Sequence, residues 1–185
     1  MDNKKSRICP VEHAGILDLK LRRWVQNPQK ILAPYIEEGM TILELGCGPG
    51  FFTLDMAHMV GATGRVIAAD LQQSMLDKIR LKIKDSELEG RITLHTCEKN
   101  KIGISDQIDF VLLFYMVHEV SEKELLFGEI ESLLNKNGSI LIVEPPFHVS
   151  QKAFEEMISI AEGAGLRIVD RSKLFLSKTA LLKKH

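Results

Sequence analysis

The chain of 185 residues has only three cysteines, Cys9, Cys47 and Cys97, widely separated and odd in number. That excludes a disulfide framework and points to reduced thiols in a cytoplasmic setting. No charge of one sign dominates: 24 Lys and Arg stand against 25 Asp and Glu, for a net charge of −1. Basic residues gather only near the ends (Lys4, Lys5 and Arg7, then Lys183 and Lys184) and read as solvated tails, so no nucleic-acid partner is expected. Long apolar runs are missing too. The longest, Phe110–Val117, is far too short to span a bilayer, and the basic N-terminus lacks the apolar stretch of a signal peptide. Metal-ligand spacing is absent as well: Cys9 and His13 form a Cys-x₃-His pair with no matching second pair, so no metal site is expected. An arrangement in which Cys9, Cys97 and His118 converge on a soft acceptor is the sharper alternative, against three ordinary buried thiols. No repeat, low-complexity tract or linker divides the chain, whose length suits one domain with a substantial core.

What is present is an alternation of strand and helix patterns. Ala14, Leu17, Leu21, Trp24 and Val25 recur at helical spacing, and Asn27-Pro28 supplies a cap and first-turn proline for a second helix through Ile31, Leu32 and Tyr35. Thr41–Leu45 and Arg65–Asp70 read as strands around a helix over Phe51–Val60. Met75, Leu76, Ile79 and Ile83 share a helix face, and Arg91–Cys97 and Ile108–Tyr115 are the next strands, the latter apolar enough to be buried on both faces. Ser121 and Glu124 have capping-box spacing before the helix carrying Leu125, Leu126, Ile130, Leu133 and Leu134. Asn137-Gly138 reads as a turn into a fifth strand, Ser139–Glu144. Ser150 caps a helix with Phe154, Met157, Ile158 and Ala161, and Leu166–Phe175 with Thr179–Lys184 forms a terminal hairpin. Strands and helices in this order predict an α/β fold, a doubly wound, Rossmann-like sheet with helices on both faces. A ligand then binds beyond the carboxyl ends of the strands, where strand order reverses.

The polar features fall at those ends. Glu44-Leu45-Gly46-Cys47-Gly48-Pro49-Gly50 joins the first strand to a helix, and glycines there let a ligand approach bare main-chain N–H groups. A nicotinamide or flavin site favours Gly-x-Gly-x-x-Gly; here the sixth position is Phe51. Glu44 inside an apolar strand is costly unless paired or facing a ligand. Asp70 ends the second strand, where a carboxylate can accept both hydroxyls of a ribose; the bland alternative is a helix cap.

These residues resemble the class I S-adenosylmethionine-dependent methyltransferases. The glycine motif, Asp70 and the segment Leu133–Pro145 carry the likeness, which runs from about Ile31 to the C-terminus and is nearest to the small-molecule, ubiquinone/menaquinone-biosynthesis branch. The resemblance implies a seven-stranded sheet, mostly parallel with an antiparallel last strand, and S-adenosyl-L-methionine as cofactor, released as S-adenosyl-L-homocysteine. It implies that Gly46, Cys47, Gly48 and Gly50 lie along the methionyl part, with Glu44 near the amino group. Asp70 would hold the ribose, with Leu71 and Met75 flanking the adenine. Cys97 occupies the position where the family often has an acidic residue, and Glu98 follows it; either would contact the adenine. The Asn/Asp-Pro-Pro-aromatic segment of base and amide-nitrogen methylation is missing after the fourth strand.

Phe114 and Tyr115 through Glu119 end the fourth strand, where the resemblance places the methyl acceptor. His118 is the candidate base, because its ordinary pKa lies near neutrality, with a loop-shaping histidine as the alternative. Tyr115 lines the pocket and Glu144, before Pro145-Pro146, orients the acceptor. The expectation is one domain, residues 1–38 forming a helical lid and 39–185 the core, acting on a small molecule as monomer or homodimer. A Rossmann oxidoreductase and a non-catalytic cofactor-binding module are the alternatives.

Overall fold

In the computed structural model, residues 26–171, 174 and 176–185 are described. The helix expected over Val11–Val25, and Cys9 and His13 with it, lie outside the described residues. The elements are α1 (Pro28–Leu32), β1 (Thr41–Leu45), α2 (Thr53–Met59), β2 (Arg65–Asp70), α3 (Gln73–Ile83), β3 (Ile92–Thr96), β4 (Ile108–Phe114), a 3₁₀ turn (Val117–Glu119), α4 (Lys123–Leu133), β5 (Leu134–Glu144), α5 (Gln151–Gly163), β6 (Leu166–Asp170) and β7 (Lys178–Lys184). They build one seven-stranded sheet in the order β3-β2-β1-β4-β5-β7-β6. The pairs among β1 to β5 are parallel, and β7 runs antiparallel to both β5 and β6. The terminal hairpin therefore closes the edge beside β5, with an antiparallel last strand, as expected.

Side-chain alternation along the strands divides the core into two layers. Leu43, Leu45, Ile67, Val111, Leu113, Ile140 and Ile142 face α4 and α5, where Phe127, Ile130, Phe154 and Ile158 are buried. Their neighbours Ile42, Val66, Phe110, Leu112, Leu141 and Val143 face α1, α2 and α3 through Ile31, Leu32, Met56, Leu76 and Ile79. Phe110, Phe127 and Phe154 are among the largest fully buried side chains, and each such burial contributes about 1.5–3 kcal/mol relative to exposure.

Two local expectations are corrected. The Ser121/Glu124 box does not form: α4 starts at Lys123 with Glu122 in the cap position and no side-chain cap bond. Ser121 is thus one residue too early to reach the first-turn N–H groups. Asn137-Gly138 is not a turn before β5. The strand begins at Leu134, directly after α4, and bulges where Ile108↔Leu134 gives way to Phe110↔Ser139. Asp109 holds this irregular entry, accepting from Asn135 Nδ2 at 2.5 Å and Thr41 N at 2.8 Å, which ties the starts of β1 and β5 together. The Asn27 and Ser150 caps do form: their side chains accept from Lys30 N and Ala153 N, both at 3.1 Å. The helix at Asn27 is shorter than expected, ending at Leu32 ahead of Pro34, which has no N–H to continue it.

The turn after β1 depends on Gly50, at φ +84, where an added Cβ would sit 2.9 Å from Ile79 Cγ1 of α3. Strain and overpacking both apply, each costing about 1–3 kcal/mol. Gly50→Ala should lower the urea midpoint accordingly in a chemical-denaturation series; an unchanged midpoint would show that the turn and α3 adjust freely.

Candidate functional site

Strand order reverses between β1 and β4, and a cleft of about 820 Å³ opens beyond the carboxyl ends there. Gly46, Gly48, Asp70, Leu71, Met75, Cys97 and Glu98 line it on the β1–β3 side, and Tyr115, Met116, His118 and Glu119 on the β4 side. The chain reaches this arrangement through two crossed turns. Gly46 N and Cys47 N both donate to Ala69 O of β2, at 2.9 and 3.2 Å. Gly48 N then donates to Asp70 Oδ2 and Gln72 N to Asp70 Oδ1, each at 2.9 Å. The β1–α2 turn and the β2–α3 turn thus share one carboxylate. Asp70 fills no helix-cap position, since Gln72 stands there ahead of α3.

Gly48 faces open space. A Cβ built on it, at φ +53, meets nothing within 4 Å, whereas one on Gly46 would lie 3.0 Å from Met116 Cβ. A main chain left bare beside a carboxylate suits a ligand with hydroxyl groups, because each Asp70 oxygen uses one lone pair on an N–H and keeps another.

The remaining cofactor-side residues stand behind this wall. Glu44, 4% exposed, accepts from Thr53 Oγ1 of α2 at 2.5 Å, so its charge in the strand has a hydrogen-bond donor. Gly50 packs on α3. Cys47 is buried, and burial, helped by the Glu44 and Asp70 carboxylates, pushes its thiol far above the ordinary range. Phe114 packs between Phe52 and Tyr115 with its ring tilted to both, centroids 4.5 and 4.4 Å away. Glu44, Cys47, Gly50 and Phe114 are not among the cleft-lining residues. Cys97 does line the cleft. Its N donates to Asp70 O at 3.0 Å, and burial with the Asp70 and Glu129 charges pushes the thiol up to about 12. Both are neutral thiols near neutral pH, poor nucleophiles and poor metal ligands. Among the described residues no group of His, Cys, Asp and Glu is arranged to hold a metal ion.

At the other end, His118 and Glu144 come together from the 3₁₀ turn and the last residue of β5. His118 Nδ1 lies 2.6 Å from Glu144 Oε2, and His118 N donates to Glu144 Oε1 at 3.2 Å. Glu144 is fully buried and does not line the cleft; the half-buried imidazole does. The hydrogen bond to Glu144 raises the His118 pKa above its ordinary value, against burial, which lowers it. With Nδ1–H assigned to the carboxylate by this bond, Nε2 is the free position. Tyr115 is held in the left-handed region at φ +59, rare for an aromatic residue. Its N donates to Val143 O at 2.8 Å, and its hydroxyl lies 2.7 Å from Ser177 Oγ and accepts from Gln26 Nε2 at 3.0 Å.

Sequence reasoning did not name Thr53, Gln26, Met116, Glu129 or Ser177. Met116 lay within the Tyr115–Glu119 segment and Ser177 in the link between the two hairpin strands, but neither had a role of its own.

A family model described as "Methyltransferase domain" matches residues 36–173. The chain belongs to that methyltransferase family. A solved structure described as a SAM dependent methyltransferase from Aquifex aeolicus superposes with a TM-score of 0.84 at 26% identity, covering 95% of this chain and 98% of that one. The C-methyltransferase UbiE of ubiquinone/menaquinone biosynthesis from Shewanella sp. (strain ANA-3) is 26% identical over 121 residues, 63% of this chain and 48% of that protein. The chain therefore spans about half the length of such relatives. The fold is also shared with the [4+2]-cyclase SpnF, at TM-score 0.68 and 16% identity over 80% of this chain and 60% of that one, so architecture alone does not name a reaction. Family and fold are those of a class I S-adenosylmethionine-dependent methyltransferase, whose cofactor is S-adenosylmethionine.

A histidine whose folded pKa is raised adds stability that is full below its ordinary value of 6.5 and lost as pH rises through the folded value. Glu144→Gln should therefore lower the His118 midpoint in an NMR titration, and the wild-type stability advantage over E144Q should shrink as pH rises above 6.5. A His118 midpoint identical in the two proteins would remove Glu144 as its cause.

Proposed function

We propose that this methyltransferase moves a methyl group from S-adenosylmethionine to a small molecule, with the cofactor along the β1–β3 side of the cleft and the acceptor at the β4–β5 side. One observation carries the reading. The bare main chain at Gly48 and the shared carboxylate of Asp70 lie in the same cleft as the His118 imidazole, which the buried Glu144 holds from behind. The volume of about 820 Å³ is in the range of sites for single small ligands, and no helix among the described residues is long and apolar enough to cross a membrane.

Asp70 would hold the ribose through its remaining lone pairs, and Gly46 and Gly48 would let the methionyl part lie against the main chain. Leu71 and Met75 would flank the adenine, with Cys97 and Glu98 at its edge. Glu44, behind the wall and tied to Thr53, would act on the amino group through the turn it supports. When bound, S-adenosylmethionine supplies a methyl carbon made electrophilic by the sulfonium. This chain's residues hold the acceptor in line and take its proton. Positioning of this kind contributes on the order of 7–11 kcal/mol, and a base adds roughly 10²–10⁴-fold. His118 Nε2 would receive the proton while Glu144, on Nδ1–H, fixes the tautomer and stabilises the imidazolium. Tyr115, pinned by Ser177 and Gln26, would form the rigid wall opposite. The Gln26 bond ties the segment just before α1 to this end of the cleft. The free thiols Cys47 and Cys97 support a cytoplasmic setting.

Calorimetry should detect S-adenosylhomocysteine binding to the wild type, and Asp70→Ala should weaken it at least about tenfold, the loss of one or two net hydrogen bonds. Methyl transfer from radiolabelled S-adenosylmethionine to a panel of phenols, thiols, amines and carbon acids should single out a protonated nucleophile. His118→Asn should then slow transfer by about 10²-fold or more with cofactor affinity unchanged. Binding of a nicotinamide dinucleotide in place of S-adenosylhomocysteine would overturn the reading, as would an active acceptor indifferent to His118.

A further inference from the structure

The segment Glu98–Ile102, after β3, forms the wall of the cleft beside Cys97 and Asp70. It is a tight turn: Glu98 N donates to Lys101 O at 3.0 Å and Lys101 N to Glu98 O at 3.3 Å. Behind it lies a second cavity of about 470 Å³, between Arg65, His95, Ser105 and Asp106, and both Lys101 and Glu129 face the two spaces. With a cavity on either side, the wall packs into the core through Ile102, and polar anchors set the position of its main chain.

Those anchors converge on one peptide. Glu129 of α4 accepts from Ile102 N with Oε2 and from Gly103 N with Oε1, both at 2.8 Å. His95 Nε2 meets Ile102 O at 2.6 Å, and the Ile102 side chain is buried against the α4/α5 layer. Gly103 at φ +79 lets successive N–H groups point the same way, toward a single carboxylate. Two N–H groups on an ionised acceptor are the strong form of this contact.

We infer that Glu129 is a positioning residue for the nucleoside end of the cofactor: its carboxylate, by clamping the Ile102 and Gly103 amides, sets the Glu98–Ile102 wall at the distance the adenine requires. This rests on the cofactor reading given above and adds a residue from α4, an element whose first turn, at Lys123 and Leu126, also lines the acceptor side. One rigid helix then spaces the two halves of the cleft.

The test uses two ligands, S-adenosylhomocysteine and 5′-methylthioadenosine, which lacks the amino-acid part, measured by calorimetry on the full chain. Glu129→Gln keeps the size of the side chain but sets an NH₂ against one of the two amides; Glu129→Ala removes both bonds. Glu131→Gln is the control, since Glu131 lies on the same helix, pairs with Lys184 and is not among the cleft-lining residues. Both Glu129 variants should bind both ligands about tenfold more weakly, by the same factor for each, with E131Q like the wild type. Equal binding by wild type and Glu129 variants overturns the inference, and so does a loss confined to S-adenosylhomocysteine. Failure of the wild type to bind either ligand removes the cofactor reading itself. A measurement on the wild type alone covers variants that do not fold: 5′-methylthioadenosine should slow amide exchange at Ile102 and Gly103, and unchanged exchange there overturns the clamp's role.

Discussion

The carboxylate of Asp70 is the constraint on which the cleft depends. One oxygen holds Gly48 N–H and the other Gln72 N–H, so two βα turns from neighbouring parallel strands are fixed by one side chain. Without it, the Gly-rich turn would have no partner for the N–H that faces the opening. Charge-assisted bonds of this kind are worth roughly 1.5–3 kcal/mol each, comparable to the strain that Tyr115 stores in its left-handed conformation nearby. Buried strand ends make this economical, since β1, β2 and β4 already hold their main chains in register to the last apolar residue.

The same logic recurs at smaller scale elsewhere in the fold. Glu144, fully buried, holds both the main chain and the ring of His118. Glu129 does the equivalent for Ile102 and Gly103, and Asp109 for the entries to β1 and β5. Glu44 with Thr53 secures the start of α2. In each case an acidic side chain on a strand or helix reaches a main-chain donor or side chain of another segment, and for Glu144 and Glu129 that segment is irregular. A sheet of nearly continuous apolar strands supplies the rigidity, and a few carboxylates transmit it to the loops that face the ligand.

Much of this was legible before any coordinates. Thr41–Leu45 and Arg65–Asp70 have the boundaries their apolar runs suggest, because turns rich in glycine or polar residues bracket both. Asp70 and the glycines stood at strand ends, where α/β topology puts ligands, and the resemblance named the cofactor class. Pairings across the sheet were not legible. Nothing in the spacing of His118 and Glu144 says that they touch, since the contact exists only once β4 and β5 lie side by side. Glu129 has no sequence feature that sets it apart from Glu124 and Glu131 on the same helix. The capping box failed because the cleft rim consumes Ser121 before the helix begins, and the Asn-Gly turn failed because a bulge absorbs the extra residues within β5.

The account's central claim is that a single cleft holds the adenosyl cofactor against Asp70 and presents its sulfur to the His118 side. A crystal structure of the complex with S-adenosylhomocysteine tests it most directly. The account predicts ribose hydroxyls within hydrogen-bond distance of the Asp70 carboxylate, adenine against the Glu98–Ile102 wall, and the sulfur facing the space in front of His118 Nε2. A nucleoside bound elsewhere, or a sulfur turned away from His118, would contradict it.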